Sequence, residues 1–384
     1  MVLAIIYLDN SATTAALPEV AIAVKEMLTE NYGNPSSLHG LGIKAEKALG
    51  EARRQVAGLI GARPTEIYFT SGGTEANNWA LLGIARARRR QGRHLITTAI
   101  EHPSILATCR RLEADGFEVT YLPADARGVI RLADLEAALR EDTILVSVMS
   151  VNNEVGSRQP VADIARLVHS RSRAVLHVDH IQGYGKIPLN CHEAGIDLMS
   201  LSGHKIHGPK GVGALYIKEG LRLEPLLTGG GQEAGQRSGT ENTAGIAGFG
   251  VAAQLAAADF ARRTARMQEI KLELARRLVA EIPGAVINGP PPEEGAPNII
   301  NVSFPGVRAE VLVHMLEQRG IYVSTGSACH SRRESASHVL QALHLERWRQ
   351  DGAIRISLGA LNRLEEVEPT VEAFKECVQE LWSL

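Results

Sequence analysis

No Cys-x-x-Cys pair occurs among the four cysteines (Cys109, Cys191, Cys329, Cys377) of this 384-residue chain. Their scatter indicates neither a zinc ribbon nor a disulfide framework. A basic field is also missing: the formal net charge is -2, with acidic and basic residues dispersed. That argues against direct nucleic-acid binding. The one basic run, residues 86–90, closes a helical pattern and reads as a solvated helix end. The first nine residues lack a basic region and a cleavage pattern, and read as a short strand. The most apolar stretch, residues 243–261, is broken by Gln254 and Asp259. It reads as a buried helix, with no membrane span expected. No His-Glu-x-x-His helix is present, and residues three apart on a strand face opposite ways, so His177 and His180 do not converge on a metal. The expectation is a cytoplasmic protein without a bound metal.

What is present is alternation. Strand-like apolar runs at residues 67–70, 94–97, 118–122, 143–148, 175–178 and 198–201 interleave with helical periodicity at 36–60, 75–90, 103–115, 132–140 and 161–170. This predicts an α/β fold, a mostly parallel sheet with helices on both faces. The length suggests two domains, 15–260 as the larger and 1–14 with 261–384 as a smaller α+β unit. A long helical region then spans about 243–282. The Pro/Gly-rich residues 288–295 read as an exposed loop. Strands are expected at 298–304, 321–324 and 353–357, with helices at 308–319 and 365–382.

Chemistry concentrates at strand ends. Lys205, in Ser202-Gly-His-Lys-Ile-His-Gly-Pro-Lys-Gly211, follows an apolar strand and precedes another, so it sits on a tight turn. Asp179 ends the run Ala174-Val-Leu-His-Val-Asp179. An amine able to form a Schiff base and a carboxylate able to pair with a pyridine nitrogen are what pyridoxal phosphate requires. A surface lysine near a structural aspartate is the competing reading. Ser71-Gly-Gly-Thr-Glu-Ala-Asn77 runs from a strand through two glycines into a helix, a setting for an anion at backbone N–H groups. Thr74 adds a hydroxyl, although a capped glycine turn has the same pattern. The polar loop 228–243 carries Arg237, Ser238, Thr240 and Asn242 and reads as a site or a subunit contact. Cys329 follows a strand in a segment of small residues flanked by His330, Arg332 and Arg333, which suggests an exposed thiol of lowered pKa. The other three cysteines read as packed. Arg355 is the lone charge inside a strand pattern and needs an anion, either a substrate carboxylate or an internal Asp or Glu.

Taken in order, Tyr7-Leu-Asp-Asn-Ser-Ala-Thr-Thr14, Ser71–Asn77, Glu101-His-Pro-Ser104, Val151-Asn-Asn-Glu-Val-Gly156, His177-Val-Asp179, Ser202–Lys205, Arg237–Asn242, Ser324–Cys329 and Ile354-Arg-Ile-Ser357 resemble the cysteine desulfurases. These are fold-type I pyridoxal-phosphate enzymes of the class-V aminotransferase group. The long segment around Cys329 resembles the nitrogen-fixation and housekeeping type. The resemblance implies Lys205 as the Schiff-base lysine, Asp179 as partner of the pyridine nitrogen, Gln182 on the ring hydroxyl and His102 stacked on the ring, moving protons. It implies a phosphate cradle of Gly73, Thr74, Ser202 and His204, completed by Thr240 from the second subunit of a homodimer. Asn153 and Arg355 would hold the carboxylate of L-cysteine, and Cys329 would be the nucleophile that becomes a persulfide. The sulfur would pass to an acceptor protein, an iron–sulfur scaffold or a tRNA- or cofactor-thiolation enzyme. Selenocysteine lyase, another class-V activity or a non-catalytic assembly component are the alternatives. One departure stands out: His180 occupies a position that is small in the family, next to Asp179. It either points away from the ring or alters its tuning.

Overall fold

The computed structural model describes residues 5–325 and 337–383. Its strands in chain order are β1 (Ile6–Tyr7), β2 (Ile67–Thr70), β3 (His94–Thr98), β4 (Glu118–Leu122), β5 (Thr143–Met149), β6 (Val175–Asp179), β7 (Leu198–Ser202), β8 (Gly213–Ile217), β9 (Val286–Ile287), β10 (Ile299–Ser303), β11 (Ile321–Tyr322), β12 (Ser324–Thr325) and β13 (Ala353–Ser357). Seven of them form one sheet in the order β2-β8-β7-β6-β5-β3-β4. The pairs β4–β3, β3–β5, β5–β6 and β6–β7 are parallel, and only β8 runs against its neighbours.

Adjacent residues of these strands enter different cores because side chains alternate across a sheet. Ile96, Val146, Leu176 and Met199 join one apolar cluster, with Tyr184 and Phe249. Leu95, Leu145, Val175 and Leu198 join another, with Trp79. Burial on both faces explains why the strands read as continuous apolar runs rather than alternating ones. The helix Gly73–Ala87 inserts Trp79, fully buried, and its indole N–H donates to Glu224 O at 3.1 Å.

A second sheet, β12-β13-β10-β9, is antiparallel throughout. Its core gathers Ile300, Val302, Ile354 and Ile356 with Leu274, Leu278 and Phe374, and also Ile6 and Leu8 from the start of the chain. Residues 9–17 then cross to the large sheet. Asn10 donates to Ser357 O at 3.0 Å, and Thr14 N to His204 O at 3.0 Å. His207 pins the same junction, donating from Nδ1 to Ala15 O at 2.8 Å and accepting Ala360 N–H at Nε2 at 2.9 Å.

Three expectations need correction. The long helical region is two helices, Thr243–Ala258 and Phe260–Glu281, bent by 78°. Asp259 at the break turns its carboxylate onto Arg262, three residues on, at 2.8 Å. The first helix gives Ile246, Phe249 and Ala252 to the large core, whereas the second gives Met267, Ile270 and Leu274 to the small one. The bend lets one sequence run serve two cores. The loop 288–295 is exposed only at Glu293 and Glu294, with Asn288, Pro290 and Gly295 buried and the rest half-buried. Asn288 secures it by donating to Asn301 Oδ1 and Ser303 Oγ, both at 2.7 Å. The strand expected at 321–324 is divided, with β11 pairing to β1 and β12 to β13. Among the described residues no single helix is long and apolar enough to cross a membrane.

Candidate active site

The C-terminal ends of β2, β3, β5, β6 and β7 meet at one edge of the large sheet, where open α/β sheets bind ligands. A cavity of about 360 Å³ lies there. It is lined by Gly73, Thr74, His102, Asn153, Asp179, Gln182, Ser202, His204, Lys205 and Arg355, together with Ser11, Ala12, Glu154 and His338. All the expected site residues on described positions are therefore together except Thr240.

Lys205 ends the single 3-10 turn Gly203–Lys205 that follows β7. Its ammonium donates to the backbone carbonyls of Ser11 (2.5 Å) and Ala12 (2.7 Å). The crossing N-terminal segment thus aims the lysine across the cavity. Asp179 is the last residue of β6. Its carboxylate accepts Asn77 Nδ2 at 2.8 Å and Ile181 N–H at 3.0 Å. Burial pushes this carboxyl above its ordinary range, while His102, Asn77, Ile181 N–H and Lys205 pull the other way. Desolvation dominates, so the aspartate calls for a cation facing it.

His102 caps the helix Pro103–Ala114, its Nδ1 accepting Ser104 N–H at 3.1 Å. Burial holds the imidazole below its ordinary pKa. Gln182 donates to Ser11 O at 3.0 Å, which leaves its buried Oε1 without a partner. Ser202 Oγ is likewise buried without a partner. Gly73 opens the helix Gly73–Ala87, and a Cβ there would come within 2.1 Å of Ile181 Cδ1, so any larger residue would have to displace that side chain. Gly73, Thr74, Ser202 and His204 line a second cavity as well, of about 420 Å³, which adds Lys210. His204 is driven down to about 3 by burial, with Lys205, Lys210 and Lys186 adding to the shift.

These features fit a phosphorylated pyridine aldehyde. A buried carboxyl calls for a cation, two buried polar atoms lack partners, an amine stands over the floor, and a glycine-opened helix start lies beside a lysine.

Of the two readings of Arg355, the structure contains the internal partner. Nη2 pairs with Asp9 at 2.7 Å, an internal partner, and Nη1 donates to Asn153 O at 3.0 Å. Its Nε stays buried without a partner. Thr240 is exposed and outside the cavity of its own chain. The loop around it spends donors on the fold: Arg237 forks onto Glu75 at 2.8 and 3.2 Å, and Asn242 caps the next helix through Gly245 N–H. His180 does not line the cavity; it is buried, with Nδ1 2.8 Å from Ser150 Oγ and its ring edge-on to Tyr184. His177 is flanked by Ser147 and Ser200 hydroxyls at 2.8 and 2.9 Å. Cys109, Cys191 and Cys377 are buried. Cys329 lies outside the described residues, as do Gly326, His330, Arg332 and Arg333.

Sequence reasoning did not single out Asn77, Asp9, Glu154, Lys210 or His338. Asn77 had a signal: it falls four residues after Gly73, on the same helix face.

The aminotransferase class-V family profile matches residues 6–369. The cysteine desulfurase IscS of Methanosarcina thermophila is 44% identical over 376 residues, covering 98% of this chain and 92% of that protein. A cysteine desulfurase of Pongo abelii is 46% identical, covering 97% and 81%. A solved NifS-like protein superposes with a TM-score of 0.92 at 41% identity, over 98% of this chain and 100% of that one. SspA in complex with cysteine superposes at 0.81 and 34% identity, over 93% and 99%. The chain belongs to the class-V aminotransferase family. Within that family it is a member of the cysteine desulfurases.

Proposed function

We propose that this chain takes sulfur from free L-cysteine, leaves L-alanine, and carries the sulfur as a persulfide on Cys329 to an acceptor protein. Iron–sulfur cluster assembly is one destination for that sulfur, and thiolation of tRNA or a cofactor is another. The observation that carries the reading is the meeting of Lys205 and Asp179 in one cavity at the sheet edge.

Pyridoxal phosphate, when bound, supplies the electron sink that lets an amino acid lose its Cα proton. Lys205 is the residue that would tether it, and Asp179, fixed by Asn77, would keep its ring nitrogen protonated. Gln182 and His102 would border the ring. Gly73, Thr74, Ser202 and His204 would hold the phosphate, with Thr240 of the second subunit in a cytoplasmic homodimer. Arg355 and Asn153 hold the substrate carboxylate, the Arg355 Nε being the unspent donor. Lys205 would also be the base at Cα, with its carbonyl partners Ser11 and Ala12 steadying it. The Cys329 thiolate then attacks the substrate sulfur. The carbon–sulfur bond breaks, the carbon keeps the electron pair and is protonated on the way to alanine, and the sulfur stays on Cys329.

The test is Cys329→Ala. The variant is expected to release no alanine from cysteine above about 1% of the parental rate, on the scale of a lost covalent nucleophile. It should also gain no mass from added sulfur. Alanine and sulfide at the parental rate would show that Cys329 is not the nucleophile.

A further inference from the structure

A carboxyl outside the expected set borders the substrate end of the cavity. Glu154 lines it beside Arg355, and is only 3% exposed. Its Oε2 accepts a hydrogen bond from Ser337 Oγ, and that hydroxyl accepts the N–H groups of Val339 and Leu340 at 3.2 and 3.3 Å. Among the described residues Ser337 is the one side-chain donor that reaches this carboxylate. The Arg355 guanidinium is meanwhile committed to Asp9 through Nη2. One guanidinium therefore already serves two carboxylates, one by contact and one through space.

We propose that Glu154 takes up a proton when the carboxylate of the amino-acid substrate binds at Arg355. Three carboxylates cannot share one buried guanidinium while all remain charged, and the least solvated of them neutralises first. Asp9 keeps 19% of its side chain in solvent and a direct 2.7 Å pairing. Glu154 has neither. Burial already lifts its carboxyl to about 7, with the Ser337 hydrogen bond and the Arg355 charge opposing. An arriving anion cancels the Arg355 contribution and moves the carboxyl higher still. The other ionisable groups lining this cavity are His338, on the helix that Ser337 caps, and His102, Asp179, His204 and Lys205. The sign follows from linkage. Because the bound-state pKa exceeds that of the free protein, substrate affinity is full below about 7 and declines as pH rises toward the bound-state value.

This inference rests on Arg355 holding the substrate carboxylate, and the experiment separates the two ideas. 3-Mercaptopropionate has the carboxylate and thiol of cysteine but no amine. Its binding to the cofactor-loaded protein is measured by titration calorimetry from pH 6 to 9, in two buffers of different protonation enthalpy. The parental protein is expected to lose affinity by about tenfold per pH unit above neutrality, the slope of one linked proton. Near pH 8 it should take up about one proton per bound ligand. Glu154→Gln keeps an acceptor for Ser337 but cannot titrate, so its affinity should be flat and its proton uptake near zero. Equal slopes and equal proton counts in the two proteins would overturn the inference. If Glu154→Gln does not fold, Ser337→Ala decides: removing the donor should move the onset of the decline up by about one pH unit, and an unmoved onset overturns the proposal. Arg355→Lys is measured alongside. Unchanged affinity there would refute the carboxylate assignment itself, and with it this inference.

Discussion

The floor and the substrate wall of the cavity are built in opposite ways. The floor comes from one sheet: Asp179 ends β6, Ser202 ends β7, and Asn77 and His102 follow β2 and β3 within a few residues. The side-chain bond that fixes Asp179 spans about a hundred residues of chain, from Asn77, whereas Lys205 above it leans on Ser11 and Ala12 across 194 and 193 positions. The wall is assembled from distant pieces. Asp9 reaches Arg355 across 346 positions, Asn153 O meets the same guanidinium across 202, and Ser337 meets Glu154 across 183. Strand register places the floor as soon as the sheet forms, whereas the wall needs both cores and the crossing segment 9–17. The lesson is that the carboxylate floor rests on local architecture, whereas substrate recognition, like the aim of Lys205, rests on tertiary closure. Two substitutions probe that contrast.

The larger effect belongs to the floor. Asp179→Asn preserves shape and one acceptor but removes the charge facing the ring nitrogen. It is expected to lower kcat by about a hundredfold or more, equal to ~2.7 kcal/mol of transition-state stabilisation. Steady-state alanine formation checks this. A fall of less than threefold would mean the floor carries no electrostatic role.

The smaller effect belongs to the wall. Arg355→Lys keeps a cation but loses the planar fork, which here also ties Asp9 and the Asn153 carbonyl. Loss of one charge-assisted hydrogen bond of ~1.5–3 kcal/mol raises KM for cysteine by about 10–100-fold. The kcat should change by less. Equal losses in kcat and kcat/KM, with KM unmoved, would place Arg355 in the chemistry rather than in binding and would blur the contrast between floor and wall.

Much of the floor was legible because its signals are local. The central strands of the large sheet stood out as apolar runs, since burial on both faces leaves few polar residues in them. Lys205, Asp179 and the glycine pair lie where those runs end, so their spacing alone brought them to one edge. The wall was less legible. Arg355 declared itself as a charge in a strand, but nothing near Asp9 named it as the partner. Glu154 sits inside the quoted run 151–156, yet only the fold shows that its carboxyl is buried against Ser337. The bend at Asp259 escaped detection because alanine-rich helical periodicity continues on both sides of it. What breaks the helix there is the demand of two separate cores, which no local window contains. The polar loop 228–243 shows the same dependence on distant partners. It looked rich in free donors, whereas Arg237 and Asn242 are spent on Glu75 and a helix cap.

Everything in the proposed chemistry depends on covalent attachment at Lys205. The direct measurement is borohydride reduction of the purified, cofactor-loaded protein, followed by peptide mass mapping. A pyridoxyl adduct on Lys205, absent from Lys205→Ala, is the expected result. An adduct confined to another lysine, or none at all, would contradict the assignment.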